Sequence, residues 1–166
     1  KRWFWISSMA VLCPSQSMSI CASPCVLDRK SNAAIVQECE GIRPEVLAEM
    51  AIPSYLHWNP FVRWIIRKRL LCMEHIVSQG QMERLLDFVC GLGLLGESLH
   101  KEITHSYLCD RELRPAAIMV SRFGLEDMTL LPPEEIETRI GDGELDVVVA
   151  ADVLEHFTTR ELVSSQ

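Results

Sequence analysis

Several absences narrow what this chain is. It has no C-x-x-C pair, and none of its seven cysteines stands with a histidine at zinc-finger spacing. No apolar run is long enough to span a bilayer. Positive charge is not in excess: sixteen basic against twenty-three acidic residues give a net charge of -7. That balance argues against nonspecific binding to nucleic acid or to an anionic membrane, and leaves room only for a local basic stripe. There are no internal repeats. What remains is ordinary for a globular protein, with 166 residues, 48% of them apolar and 23% charged, enough for one domain with a real core.

Cys21 and Cys25 are close enough to share a metal ion or a disulfide, but nothing nearby completes a site. The odd number of cysteines, and their placement inside expected strands and helices, favours reduced, buried thiols in a cytoplasmic protein. Lys1-Arg2 followed by an apolar run through Cys13 is similar to the opening of a secretory signal. No clean small-x-small cleavage site follows it. Residues 1–40 show no sustained period and read as an irregular leader.

Pro44 suits a first helical turn, so Pro44 to Met50 reads as a short helix. Asn59-Pro60 gives an N-cap followed by a proline at the first helical position, opening a long helix to about Gln79, with Gly80 as its stop. Phe61, Trp64, Ile65, Leu71 and Ile76 form its apolar face, and Arg63, Arg67 and Lys68 a basic strip beside it. Two readings fit: a helix lying on a membrane or on an acidic, lipid-like substrate, and a packed helix with a solvated charged edge.

From Arg84 the pattern changes. Strands are expected at Arg84 to Phe88, Ser106 to Cys109, Met128 to Leu131 and Leu145 to Ala151. Helices are expected at Gly93 to Lys101, at Pro115 to Phe123 with Gly124 as its stop, and from near Pro133 to Gly141. This alternation means an α/β fold: a Rossmann-like parallel sheet with flanking helices, preceded by helices. The first strand runs into Asp87-Phe88-Val89-Cys90-Gly91-Leu92-Gly93-Leu94-Leu95-Gly96, a glycine-rich turn into a helix. Such a turn lets backbone approach a nucleotide-like ligand closely, and it also fits the dinucleotide fingerprint. A tight connection with no ligand would use the same residues. Asp110 ends the second strand and Asp152 the fourth, so Asp87, Asp110 and Asp152 converge on one crevice at the carboxyl ends of the strands.

Leu85-Leu86-Asp87-Phe88-Val89-Cys90-Gly91-Leu92-Gly93 resembles the first motif of class I S-adenosylmethionine-dependent methyltransferases, and Leu145 to His156 is similar to the fourth-strand motif of their type 11 branch. Tyr55-Leu56-His57-Trp58-Asn59-Pro60 resembles the helical lead-in of some members. The resemblance implies strand order 3-2-1-4 and an S-adenosylmethionine cofactor. It implies that the backbone at Cys90, Gly91 and Gly93 holds the amino-acid part of that cofactor, with Asp87 orienting the turn. Asp110 would take the ribose hydroxyls and Asp152 would line the pocket near the sulfur. Glu134 is the nearest counterpart of the acid that meets the adenine, and His156, Glu155 and His57 are candidates for a base. On this reading residues 1–40 are the leader, 41–80 a helical lead-in and 81–166 the N-terminal part of a methyltransferase domain.

Two departures stand out. Val89 occupies a position where the family pattern has glycine, and a β-branched residue there continues the strand while filling space that a ligand needs. The family fold also has seven strands, and the chain stops shortly after the fourth. An incomplete sheet, a truncated product and self-association through the exposed fourth strand are therefore expected. The acceptor is expected to be a small molecule, with a lipid head or a quinone-like ring compatible, and neither nucleic acid nor stable membrane insertion is expected. A catalytically inactive remnant acting as a binding module and an NAD-type oxidoreductase domain are the competing readings.

Overall fold

A computed structural model describes residues 29–50, 52–80 and 82–151. Four parallel strands form one sheet in the order β3-β2-β1-β4. They are β1 (Arg84–Phe88), β2 (His105–Cys109), β3 (Met128–Leu131) and β4 (Val147–Ala150). Among the described residues, four helices precede the sheet: α1 (Arg29–Glu38), α2 (Pro44–Glu49), α3 (Ile52–Leu56) and α4 (Pro60–Ser78). Helices α5 (Leu94–Leu99), α6 (Arg114–Phe123) and α7 (Ile136–Arg139) connect the strands. This is the α/β, Rossmann-like arrangement expected from the alternation of apolar runs and helix signals.

The strands are short and apolar because a parallel sheet is covered on both faces. Leu85, Leu108 and Val149 are buried in one core cluster with Leu99, and Leu131 is buried on the opposite face of the sheet. The starting ends of β1 and β4 are tied by carboxylates. Asp146 Oδ2 accepts from the N–H groups of Glu83 and Arg84 at 2.9 and 3.0 Å. Glu144 accepts from the Tyr107 hydroxyl and from the Gly141 N–H, both at 2.8 Å, and pairs with Arg84 at 2.8 Å. β4 is shorter than the expected Leu145 to Ala151, spanning Val147–Ala150.

Helix α4 begins as its sequence predicts, with Asn59 Oδ1 accepting from the Phe61 N–H at 2.9 Å and Pro60 in the first turn. Its core-facing side differs from the expected one. The buried stripe contains Leu70 and Val77, with Ile66 and Met73 at compatible helical spacing, whereas Phe61, Trp64 and Ile65 are exposed. Of the five residues expected to form the apolar face, Leu71 is buried and Ile76 half-buried. The helix carries two apolar stripes, and the slimmer aliphatic one packs inward.

The reading of residues 1–40 as irregular fails over Arg29–Glu38, which is helical. Asn32, Ile35 and Cys39 are buried there at helical spacing, and Arg122 of α6 pairs with Glu38. So sparse an apolar stripe becomes a helix through the tertiary surface that it meets. The 3₁₀ turn Pro133–Glu135 and the short α7 replace the single helix expected from Pro133 to Gly141. Cys21 and Cys25 lie outside the described residues, and among those described no group of side chains could hold a metal ion.

Two glycines with left-handed backbones separate strain from packing. Gly124 (φ +63°) caps α6 with open space where a Cβ would stand. Gly93 (φ +73°) would place a Cβ 2.7 Å from Met119 Cε and 2.9 Å from Leu108 Cδ1. In urea denaturation, Gly124→Ala is expected to cost about 1 kcal/mol through backbone strain. Gly93→Ala should cost at least about 1 kcal/mol more, because the core must also move. Equal losses would show that the contact between α5 and the sheet yields freely.

Candidate functional site

The glycine-rich turn lies at the carboxyl end of β1, where an open parallel sheet forms its crevice. It is folded largely by its own amides. The Cys90 N–H donates to the Cys109 carbonyl at 3.0 Å, and the Gly93 N–H to the Cys90 carbonyl at 2.8 Å. The Gly91 N–H donates to Asp110 Oδ2 at 2.9 Å. The three residues expected to hold a ligand through their backbone are thus bonded within the turn and to the end of β2.

Val89 does not continue β1. Its φ is +63°, making it the one described non-glycine residue in the left-handed region. A β-branched residue is strained there, at a cost on the order of 1–3 kcal/mol. The tight bend after Phe88 needs this conformation, and Gly91 (φ +57°) and Gly93 (φ +73°) adopt it at the next alternate positions. Val89 also points into the crevice and is 40% exposed.

The crevice is a cleft of about 100 Å³. Asp87, Val89 and Leu92 line it from the turn side, Tyr55 from α3, and Arg69 and Met73 from α4. Small-molecule sites commonly enclose roughly 300–1,000 Å³. The cleft is therefore smaller than a typical small-molecule site.

Its electrostatics are set by two buried carboxylates. Asp87 and Asp110 are 5% and 6% exposed. Burial, and then the charge of Asp110, push the Asp87 carboxyl up to about 7. Asp110 is not among the residues that line the cleft, and its second oxygen accepts from the Glu112 N–H at 3.4 Å. Burial raises the Cys90 thiol well above its ordinary range and pushes Cys109 up to about 12, so both stay protonated and non-nucleophilic. They are free, buried thiols, as expected.

The structure therefore brings Asp87 and Asp110 together at the turn. Asp152, Glu155 and His156 lie outside the described residues. Glu134 is exposed on the 3₁₀ turn after β3, on the side of Cys109. His57 is a capping residue: its Nδ1 accepts from the Asn59 N–H at 3.1 Å, and its ring stacks on Trp58. Sequence reasoning missed Tyr55, Arg69 and Met73 as cleft residues. A signal was present, since Ile66, Leu70, Met73 and Val77 repeat at helical spacing beside the aromatic stripe. Comparison of the chain with protein-family models, with curated proteins and with solved structures gives no match.

Two outcomes follow from this geometry. Val89→Gly should stabilise the protein by about 1 kcal/mol in chemical denaturation, with Val89→Ala recovering less than half of that, because alanine keeps the strained Cβ. A destabilised Val89→Gly would mean that side-chain packing outweighs strain. The second outcome concerns pH. An acid whose pKa is higher in the folded state stabilises when protonated, so stability falls as pH rises from about 4 to about 7, by up to about 1.4 kcal/mol per unit. Glu97, also buried and pushed up to about 7, contributes in the same window. Asp87→Asn should flatten the slope and leave the Glu97 part; an unchanged slope would exclude a buried, protonated Asp87.

Proposed function

We propose that this chain is the cofactor-binding part of an S-adenosylmethionine-dependent methyltransferase that acts on a small-molecule acceptor. The observation that supports it best is the charge at the glycine-rich turn. Asp87 lines the cleft with Asp110 buried behind it, and no basic side chain comes from Asp87 to Gly96. A ligand presenting a sulfonium or an ammonium is attracted to such a wall. A pyrophosphate is repelled by it, which disfavours the dinucleotide reading of the same glycines. Arg69 stands on the α4 wall of the cleft, so an amino-acid moiety meets an acid on one side and a base on the other.

The residues fit the amino-acid end of the cofactor in charge, while Val89 narrows the space beside it. Asp87 would hold the ammonium and Asp110 would keep the turn folded. The apolar side chains of Leu92 and Met73 would exclude water from the reacting end. When bound, the cofactor supplies a methyl group already activated on a positively charged sulfur, so the protein's contribution is chiefly in-line positioning. By the family resemblance, Asp152 would line the pocket, and His156 or Glu155 would act as a base where the acceptor must lose a proton. A binding module that no longer turns over is the second reading, and strained Val89 is the observation that favours it.

Calorimetric titration with S-adenosylmethionine and with NAD tests the proposal. S-adenosylmethionine should bind at least roughly tenfold more tightly, and its affinity should rise between about pH 5.5 and about 7.5, because the cation selects ionised Asp87. Asp87→Asn should weaken binding and remove the pH dependence, and Val89→Gly should strengthen binding. If neither the wild type nor Val89→Gly binds S-adenosylmethionine, the proposal fails.

A further inference from the structure

Among the described residues, only one of the two apolar faces of α4 is buried; the other is exposed. On the other, Phe61 is 61%, Trp64 53% and Ile65 39% exposed, and Trp58, just ahead of the N-cap, is 78% exposed. Phe61, Trp64 and Ile65 follow i, i+3, i+4 spacing and so share one stripe. The Phe61 and Trp64 rings stack with centroids 5.7 Å apart. Trp58 sits on a pinned segment: the Arg63 guanidinium donates to the His57 carbonyl, and to the Trp58 carbonyl at 3.0 Å. The aromatic rings are thus presented to solvent from an ordered helix start. A cluster of this kind marks a contact surface, where a lone exposed apolar residue would not.

Charge identifies the partner. From Ser54 to Met73 there is no aspartate or glutamate, while Arg63, Arg67, Lys68 and Arg69 lie within the same segment of a chain whose net charge is -7. Arg67 and Lys68 are exposed beside the stripe. Antiparallel two-fold pairing of this face with a second copy would set each basic strip on the same side as its own image. Aromatic rings flanked by lysine and arginine instead suit the boundary between lipid headgroups and acyl chains. The helix would lie on that surface, since no described helix is long and apolar enough to cross a membrane.

We propose that the outer face of α4 docks on an anionic phospholipid surface. Trp58, Phe61, Trp64 and Ile65 enter the headgroup boundary, and Arg67 and Lys68 meet the lipid anions. This stands independently of the methyl-transfer reading.

The test is flotation of the full chain with vesicles of phosphatidylcholine alone or with about 30% phosphatidylserine. Binding should be roughly tenfold stronger on the anionic vesicles and should weaken as salt is raised. Phe61→Ser with Trp64→Ser should lower binding to both vesicle types at least roughly tenfold. Arg67→Gln with Lys68→Gln should cost up to roughly tenfold on anionic vesicles, removing their advantage, and little on neutral ones. All four side chains are exposed, so circular dichroism should show the fold retained in both variants. The proposal is overturned by a lack of binding to anionic vesicles, or by binding that both variants retain, which would place the contact elsewhere in the chain. A dimer in light scattering that the aromatic variant abolishes would overturn it in favour of a second copy.

Discussion

The site rests on the bond from the Gly91 N–H to the Asp110 carboxylate, seconded by the bond from the Cys90 N–H to the Cys109 carbonyl. These two contacts join the turn after β1 to the end of β2, across nineteen residues of sequence in the first case. They hold Val89, Gly91 and Gly93 in left-handed conformations that a free chain would rarely visit together. They also set where α5 starts, and α5 lies close to Leu108 only because Gly93 and Gly96 carry no side chain. A hydrogen bond to an ionised group out of water is strong, and leaving such a group unpaired is costly.

The same arrangement has an electrostatic cost. Asp110 is held by backbone N–H donors, and the second buried acid, Asp87, must share the space with it. Asp87 is the one pushed toward neutrality and the one that faces the cleft. The turn thus places two buried acids at a cleft of limited volume, while its thiols, held protonated, add no reactivity. On the proposed reading, its role is to bind and orient a cation rather than to form a covalent bond to the protein.

Much of the sheet was legible in the sequence because strand length, apolar content and glycine punctuation agree locally. Met128–Leu131 and Arg84–Phe88 coincide with their expected bounds, and Gly124 stops α6 in the left-handed conformation that its position suggests. What was not legible depended on the surfaces that elements meet. Arg29–Glu38 has too few apolar residues to declare itself, and α4 offers two faces between which periodicity alone cannot choose. At the turn, the departure of Val89 from the glycine pattern was visible, but its consequence was misread. Valine's β-branching suggested a longer strand, whereas the bend imposes φ +63° on it. That Asp110 holds the turn's own amide could be learned only from the folded geometry.

Helix α4 is a partition one helix thick. Met73 and Arg69 face the cleft from it, while Trp64 and Phe61 stand on its outer side. An α-helix with its side chains is about 10–12 Å across. Whatever rests against the outer aromatics is therefore kept at about that distance from the cleft. The helix acts as a spacer, and a molecule anchored at that surface would need to extend only a short tether around its edge to reach the inside.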